Sequence, residues 1–280
     1  IQILPLIKSG AARFFDFTDK EISIMCASHY AEPNHIDTLQ SILQKINLKE
    51  SDLQCGHTTS LKLSHAFDLA RKGLADRPFY NDCSGKHLGM LAYTLYMKRD
   101  ISHYLDPEHE TQKDILNTFG EFCEYPVEKI TLGIDGCSAP VFALPLYNMA
   151  VSFLKLSNSG ILDKQNRVHS DKIFNAMVAN PEMVAGTDGF CTELMKITNG
   201  KMIGKVGAEG VYCVGIKDKG LALAVKIEDG SMSVLSSVVI QLLTRLEVLT
   251  EEEKKQLEKF RVKENLNDRN IIVGFQKPVF

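Results

Sequence analysis

Several features that would assign a protein to a functional class are missing from this sequence. The formal net charge of the 280 residues is −3, with no basic stripe and no block of like charge, which argues against nucleic acid as a partner. No apolar run is long enough to span a bilayer, and no internal repeat or low-complexity tract is present. Hydrophobic residues make up 44% of the chain and charged residues 24%, as expected for a globular protein with a sizeable core.

The sequence also lacks a Cys-x-x-Cys motif, although it has seven cysteines. An odd number of cysteines, in a chain too long to need disulfide staples, favours a reducing compartment. We therefore expect a cytoplasmic protein whose thiols serve as core residues, metal ligands or catalysts.

One stretch, 81–90, concentrates reactive side chains. It carries a thiol, a hydroxyl, an amine and an imidazole, at Cys83, Ser84, Lys86 and His87. A similar pattern returns at 133–140, around Cys137. Apolar helical sequence follows both stretches, so we predict that the two thiols lie at helix N-termini that face each other across one site.

The chemistry of these thiols leaves several interpretations open. The dipole and the unpaired amides of a helix N-terminus favour a thiolate there. Two thiolates and one more donor would make a zinc site with an open position, and by softness His87 suits the third place better than Lys86. The alternatives are that Cys83 and Cys137 are ordinary buried thiols, or that they form a redox pair.

Two further residues are weaker candidates. Ser28 is expected at or just past a helix end, because Pro33 disfavours helix at the residue before it, and there a side chain can point into a cleft. Lys226 sits in an otherwise apolar strand. It is either at a rim with its charge in solvent or buried as a usable base with a lowered pKa. Cys213 is expected to face the core from a neighbouring strand.

The order of the elements predicts an α+β fold. Helices dominate the first two thirds, where a capping box at Thr18–Glu21 starts one helix and Asn34 caps the next. The last third is predicted to hold an antiparallel meander, two amphipathic helices and a final strand. These elements are expected at 201–206, 211–216, 221–227, 231–249, 251–261 and 271–279.

Two predictions concern the middle of the chain. After Pro140 we expect a helix to about Leu156, with the proline in its first turn. The polar, turn-rich stretch 157–172 is expected to be an exposed insertion, followed by a helix at 173–180.

Eight short segments, taken together, resemble one family. They are Cys26-Ala27-Ser28-His29 with Glu32-Pro33 and His35, Asp52–Gly56, Cys83–His87, Tyr104–Pro107, Gly133–Pro140, Ala185-Gly186, Gly207–Cys213 and Lys226–Gly230. They follow one another in the family's order, and as a set they are specific. The sequence resembles the asparaginase II family, the zinc-containing bacterial L-asparaginases of the Rhizobium etli type.

The resemblance implies an activity and a fold. The activity is hydrolysis of L-asparagine to L-aspartate and ammonia. The fold is serine β-lactamase-like, with an antiparallel sheet flanked by helices, and the protein is a homodimer. The zinc ligands implied on this chain are Cys83, Lys86 and Cys137, with water, which moves His87 to the surrounding shell.

The resemblance also implies residues around the zinc. The family carries two Ser-Lys tandems, and one of them falls on Ser28 and Lys226. Asp135, His87 and Cys213 fall on positions that line the substrate pocket.

The sequence departs from the family in two places. The family's other tandem, a Ser-x-x-Lys, lies upstream of the segment that matches 1–10, and this chain opens at Ile1 with an apolar run. We therefore expect a single asparaginase II domain over 1–280 that is truncated at its N-terminus. An inactive homologue that binds zinc or an amino acid is the alternative to an active hydrolase. The smaller departure is Asp82, where the family usually has Asn.

Overall fold

The computed structural model describes residues 1–74, 76–217 and 219–280. Its helices are α1 (Leu4–Lys8), α2 (Ala11–Phe14), α3 (Asp19–Met25), α4 (Pro33–Lys45), α5 (Leu63–Arg71), α6 (Ser84–Tyr96), α7 (Glu110–Cys123), α8 (Leu146–Ser157), α9 (Lys164–Ala179), α10 (Pro181–Val184), α11 (Phe190–Ile197), α12 (Leu235–Arg245) and α13 (Glu251–Arg261). Its strands are β1 (Thr131–Ile134), β2 (Pro140–Ala143), β3 (Met202–Gly207), β4 (Val211–Ile216), β5 (Leu221–Lys226), β6 (Lys263–Leu266) and β7 (Ile272–Gln276). The predicted mixture of helices and small antiparallel sheets is confirmed.

The predicted meander is present, and its register places individual side chains. β3, β4 and β5 form one antiparallel sheet in that order, while β1 pairs with β2 and β6 with β7. Within the meander Lys205 lies opposite Cys213, and Cys213 lies opposite Ala224. Directly opposed residues project from the same face of a sheet, so these three side chains share one side of the meander.

Helices cover this sheet and continue its core. α8 packs on β4 and β5, α11 packs on β3, and α12 packs on β4. One hydrophobic cluster joins apolar side chains from Leu4 in α1 to Leu257 in α13. No helix in the described ranges is both long enough and apolar enough to cross a membrane.

The predicted start of the helix after Pro140 is wrong, because the helix begins later in the chain. Residues Pro140–Ala143 form β2, in which Phe142 pairs with Leu132 of β1. Valine and phenylalanine at 141 and 142 favour a strand. Pro145 is the residue that opens α8 as its N-cap.

The stretch 157–172 is exposed over much of its length, as predicted, but it is helical in part and not an irregular insertion. α9 already begins at Lys164, because the side chain of Asp163 accepts hydrogen bonds from the amides of Gln165 and Asn166. Its polar side faces solvent, while Ile173 and Phe174 anchor it in the core. The N-cap Asp163 therefore favours a helix here, although the sequence contains few apolar residues.

Two smaller predictions also differ from the structure. Glu32, and not Asn34, is the N-cap of α4, and its amide donates to Nδ1 of His35 at 2.9 Å. The final strand, β7, has a neighbour in β6 that the polar sequence 263–266 did not reveal.

A glycine brings the first turn of α6 against the end of α3. A Cβ built on Gly85 would lie 2.2 Å from the carbonyl oxygen of Ile24, which is too close for any side chain. Beside this contact the amide of His29 donates to the carbonyl of Asp82 at 3.2 Å, so the chain neighbours of Ser28 and Cys83 meet there.

We expect Gly85→Ala to lower the free energy of unfolding by about 2 kcal/mol or more, because the clash with a backbone atom outweighs a gain of about 1 kcal/mol in helix propensity. Gly89→Ala is the matched control in the same helix, since its Cβ would meet side-chain atoms of Ile3 and Met25 at 3.3 and 3.4 Å. It should change stability by less than about 1 kcal/mol. Urea unfolding measures both variants, and equal stability of the two would contradict the close approach.

A buried carboxylate fixes the start of α3. Glu21 is 3% exposed, and it accepts hydrogen bonds from the Thr18 amide at 2.7 Å, Ser41 Oγ at 2.8 Å and Lys45 Nζ at 2.7 Å. Burial alone would raise the pKa of Glu21, but these hydrogen bonds, that of Lys45 first, lower the pKa below its ordinary value of 4.5. The fold therefore stabilises the ionised form.

This arrangement predicts a dependence of stability on pH. Because the pKa of Glu21 is lower in the folded state, its contribution is complete above pH 4.5 and is lost as the pH falls further. Glu21→Gln should lower the free energy of unfolding by about 3 kcal/mol at neutral pH, and its difference from wild type should shrink in acid. Urea unfolding at a series of pH values measures this.

The control for this prediction is an exposed ion pair. Glu251→Gln removes the partner of Lys254 at the surface and should cost less than about 1 kcal/mol at any pH. A difference between Glu21→Gln and wild type that stays constant from neutral to acid pH would contradict the role of the ionised carboxylate.

Candidate active site

Ser28 lies in the extended segment that follows α3. Its amide donates to the carbonyl of Val184 at 3.0 Å, and the amide of Tyr30 donates to the carbonyl of Ala185 at 2.8 Å. A Cβ at Gly186 would lie 2.5 Å from the Tyr30 ring, so glycine is required for this contact. The segment 184–186 therefore holds the backbone that carries Ser28.

The hydroxyl of Ser28 is paired with a lysine that the sequence did not point to. Lys205 Nζ, from β3, lies 2.7 Å from Ser28 Oγ and also donates to the carbonyl of Val206. Both side chains are half-buried. An uncharged lysine in this position can take the proton of a serine hydroxyl.

Lys226, the predicted partner of Ser28, lies elsewhere and is corrected to Lys205. Lys226 is exposed at the end of β5, and its Nζ contacts the carbonyl of Ile227. In the register of the sheet, Lys226 lies opposite Val211 of β4. Lys205 lies opposite Cys213, two residues further along the same strand. The Cα atoms of the two lysines are therefore about 12 Å apart.

Sequence reasoning missed Lys205 because both lysines lie in apolar β runs. The two lysines differ only in the order and register of their strands, and the hydrophobic pattern of the sequence gives neither. The available signal was the position of Lys205 two residues before the Gly207-Ala208-Glu209 segment.

Cys83 and Cys137 come together as predicted, but only Cys83 opens a helix. Cys83 is the N-cap of α6, and its amide donates to Asn81 Oδ1 at 2.9 Å. Cys137 lies in the turn between β1 and β2, so its predicted place at a helix N-terminus is wrong. The interaction between the two thiols lowers the pKa of Cys83 and raises the pKa of Cys137. The pair therefore loses its first proton readily and its second reluctantly.

Lys86 and Asp135 form an ion pair beside these thiols. Lys86 Nζ lies 3.0 Å from Asp135 Oδ2. Burial alone would lower the pKa of Lys86, but the negative charges of Cys83, Cys137 and Asp135 raise it. Asp135 Oδ1 accepts hydrogen bonds from the amides of Cys137 and Ala139 at 2.9 and 3.0 Å. The carboxylate of Asp135 thus shapes the turn that presents Cys137.

His87 supports the Cys137 sulfur from the protein interior. Its Nδ1 lies 2.7 Å from the Tyr104 hydroxyl, and its Nε2 lies 3.1 Å from Cys137 Sγ. Because the Gln54 amide donates to the Tyr104 oxygen, the hydroxyl gives its own proton to Nδ1, and the ring proton sits on Nε2. His87 therefore donates a hydrogen bond to the sulfur, which is the position of a residue that orients a metal ligand.

A comparison with protein families decides the assignment of the chain. A family model described as L-asparaginase II matches residues 1–278. The chain belongs to the L-asparaginase II family. A comparison with individually curated proteins finds no match. Family membership supports an asparaginase-like amidohydrolase with a small-molecule substrate.

Two more residues of this L-asparaginase II chain adjoin the Ser28–Lys205 pair. Cys213 is buried in β4 directly opposite Lys205, and burial raises the pKa of its thiol to about 12. Burial also raises the pKa of Asp82, while the charges of Lys205 and Lys86 act in the opposite direction. Asp82 is therefore within electrostatic reach of both lysines.

The donor atoms at this site are of the chemical types that bind zinc, provided that Lys86 is one of the ligands. Across the described ranges, no group of three or more His, Cys, Asp and Glu side chains is arranged to hold a metal ion. Cys83 and Cys137 are free thiols in contact, and the third nearby donor is the Lys86 amine. An amine coordinates only in its uncharged form, so metal binding here must release protons from both thiols and from Lys86.

Proposed function

We propose that this chain hydrolyses the side-chain amide of L-asparagine to give L-aspartate and ammonia. The observation that carries the proposal is the 2.7 Å contact between Lys205 Nζ and Ser28 Oγ, in a chain whose family match spans residues 1–278. The serine β-lactamase-like arrangement, the homodimer and the cytoplasmic location implied above remain predictions.

Ser28 and Lys205 supply the nucleophile and the base. Lys205, in its uncharged form, takes the hydroxyl proton while Ser28 Oγ attacks the amide carbon of the substrate. The same amine passes this proton to the leaving nitrogen, so ammonia departs and a β-aspartyl ester remains on Ser28. Water then attacks the ester with Lys205 again as base, and the proton returns to Ser28 Oγ as aspartate leaves.

Of the three residues that the resemblance implies at the substrate pocket, Asp135 is proposed to contact the substrate, and the buried His87 and Cys213 are proposed to support the pocket from behind. The carboxylate of Asp135 suits the α-ammonium group of asparagine. Asp135 Oδ2 now contacts Lys86, and it becomes available to the substrate when Lys86 is uncharged. His87 acts indirectly, by holding Cys137, and Cys213 packs beside Lys205.

Cys83, Lys86 and Cys137 are proposed to hold a zinc ion, with water as a further ligand. Bound zinc supplies positive charge and Lewis acidity beside the substrate. The neighbouring sulfurs, the half-buried amine of Lys86 and the hydrogen bond between His87 and Cys137 support this proposal.

Substitutions of the two lysines test which of them acts with Ser28. Ser28→Ala should lower kcat for ammonia release from asparagine by about a thousandfold or more, and Lys205→Met by about a hundredfold or more, since they remove the nucleophile and the base. Lys226→Met is the matched control and should stay within about twofold of wild type, because an exposed side chain outside the site adds little to binding or catalysis.

Three results would overturn parts of this assignment. Activity retained by Ser28→Ala would exclude Ser28 as nucleophile. A loss of activity in Lys226→Met, with Lys205→Met active, would restore the pairing predicted from the sequence. A wild-type chain that binds zinc and releases no ammonia would favour the inactive binder instead.

Metal content tests the ligand set without relying on activity. Wild-type protein should carry zinc in a stoichiometry near one per chain, measured by elemental mass spectrometry after dialysis. Cys83→Ser and Cys137→Ser should each lose affinity by about tenfold or more, because a serine hydroxyl is a poor replacement for a thiolate.

The control for this measurement is Cys26→Ser, at the half-buried end of α3, which should keep its zinc. Full zinc content in Cys83→Ser and Cys137→Ser would contradict the proposed ligands.

A further inference from the structure

His29, the residue after Ser28, is enclosed and has both ring nitrogens engaged. Its side chain is 0% exposed. Nδ1 accepts the amide of Ala31 at 3.1 Å, and Nε2 lies 2.8 Å from Ser84 Oγ. Because Nδ1 is an acceptor, the proton of the neutral ring sits on Nε2 and is donated to Ser84. Ser84 in turn donates to the carbonyl of Phe79 at 3.3 Å.

The surroundings keep this imidazole neutral. Burial lowers the pKa of His29 well below its ordinary value, and the neighbouring His35 lowers it further. A charged ring would lose the acceptor that Ala31 uses, and its second proton would have no partner. The two hydrogen bonds of His29 therefore persist across the neutral pH range.

A second histidine completes the connection. The ring of His35 stacks on that of His29 at a centroid distance of 5.3 Å. His35 Nδ1 accepts the Glu32 amide at 2.9 Å, which leaves the proton on Nε2 for the Glu182 carbonyl at 2.8 Å. The two stacked rings thus connect the segment 28–32 to the first turn of α6 on one side and to α10 on the other.

We propose that His29 is a positioning residue that holds Ser28 against Lys205 by fixing the segment 28–32 to the first turn of α6. His29 has no free ring nitrogen and no exposed surface, so it does not touch substrate. The effect of His29 on the catalytic rate rests on the proposed function, whereas the effect of His29 on the order of the segment 28–32 does not. A displacement of about 1 Å in a reacting group is enough to cost up to about a hundredfold in rate.

Two substitutions separate the two hydrogen bonds of His29. Gln places an N–H donor near the position of Nε2 and should keep the bond to Ser84, whereas Asn keeps only an acceptor near Nδ1. His29→Asn should raise the hydrogen-exchange rates of the amides of Ser28 and Tyr30 by about tenfold or more, since it removes the side-chain hydrogen bond to α6 and leaves the longer backbone hydrogen bond from the residue 29 amide to the Asp82 carbonyl, at 3.2 Å. It should also lower kcat by about tenfold or more with KM within about threefold of wild type. His29→Gln should recover most of both losses.

The chain offers a closely matched control at His109. Its Nδ1 accepts the amide of Thr111, also two residues later, at 3.1 Å, and its Nε2 donates to the Asp100 carbonyl at 2.9 Å. His109→Asn removes the same kind of contact at the start of α7, and it should leave both kcat and the exchange of the segment 28–31 unchanged.

The outcomes separate this proposal from the proposed function. Ser28→Ala should abolish turnover and leave the exchange of Tyr30 as in wild type. If wild type released no ammonia, the proposed function would fail, and the exchange measurements would still decide the role of His29. Wild-type exchange in His29→Asn would overturn the positioning role. Equal damage in His29→Gln and His29→Asn, with matching losses of global stability in urea, would also overturn it.

Discussion

The hydrogen bond between Lys205 and Ser28 joins parts of the chain that are 177 residues apart. Each partner is placed by a different part of the fold. The segment 184–186 fixes the backbone of Ser28, and the register of β3 with β4 fixes Lys205. A shift of one residue in that register would turn Lys205 to the opposite face of the sheet. Any chemistry at Ser28 therefore depends on both parts being correctly folded at once.

The charges around this pair are balanced within a small volume. Lys86 is half-buried with Asp135 as its ion-pair partner, and the thiols of Cys83 and Cys137 interact with each other. Buried charges are tolerated when they are paired in this way. Asp135 has two roles, because one oxygen holds the turn of Cys137 and the other holds Lys86. The proposed zinc ion would replace protons in an arrangement that is already electrostatically coupled.

Sequence reasoning predicted the elements with local signals and missed those set by pairing. The capping box at Thr18, the meander and the helix Glu251–Arg261 follow from short-range rules, and the structure has them. At 140–143 the proline predicts the start of a helix. The residues form a strand instead, because they pair with β1.

The same distinction between local signals and long-range pairing applies to the candidate site. The meeting of Cys83 with Cys137 was predictable because both lie in segments with concentrated reactive groups. The partner of Ser28 was not, since Lys205 and Lys226 differ only in strand and register. The ring contacts of His29 were equally hidden, because Ser84 is distant in sequence and is brought close by the packing of α6 on α3.

Trapping the covalent intermediate tests the central claim most directly. The chain is mixed with L-asparagine, quenched in acid during turnover, and digested for peptide mass mapping. The account predicts a β-aspartyl ester on the hydroxyl of Ser28, which accumulates in wild type and is absent from Lys205→Met. Ammonia release with the ester on another residue, or with no ester at Ser28, would contradict it.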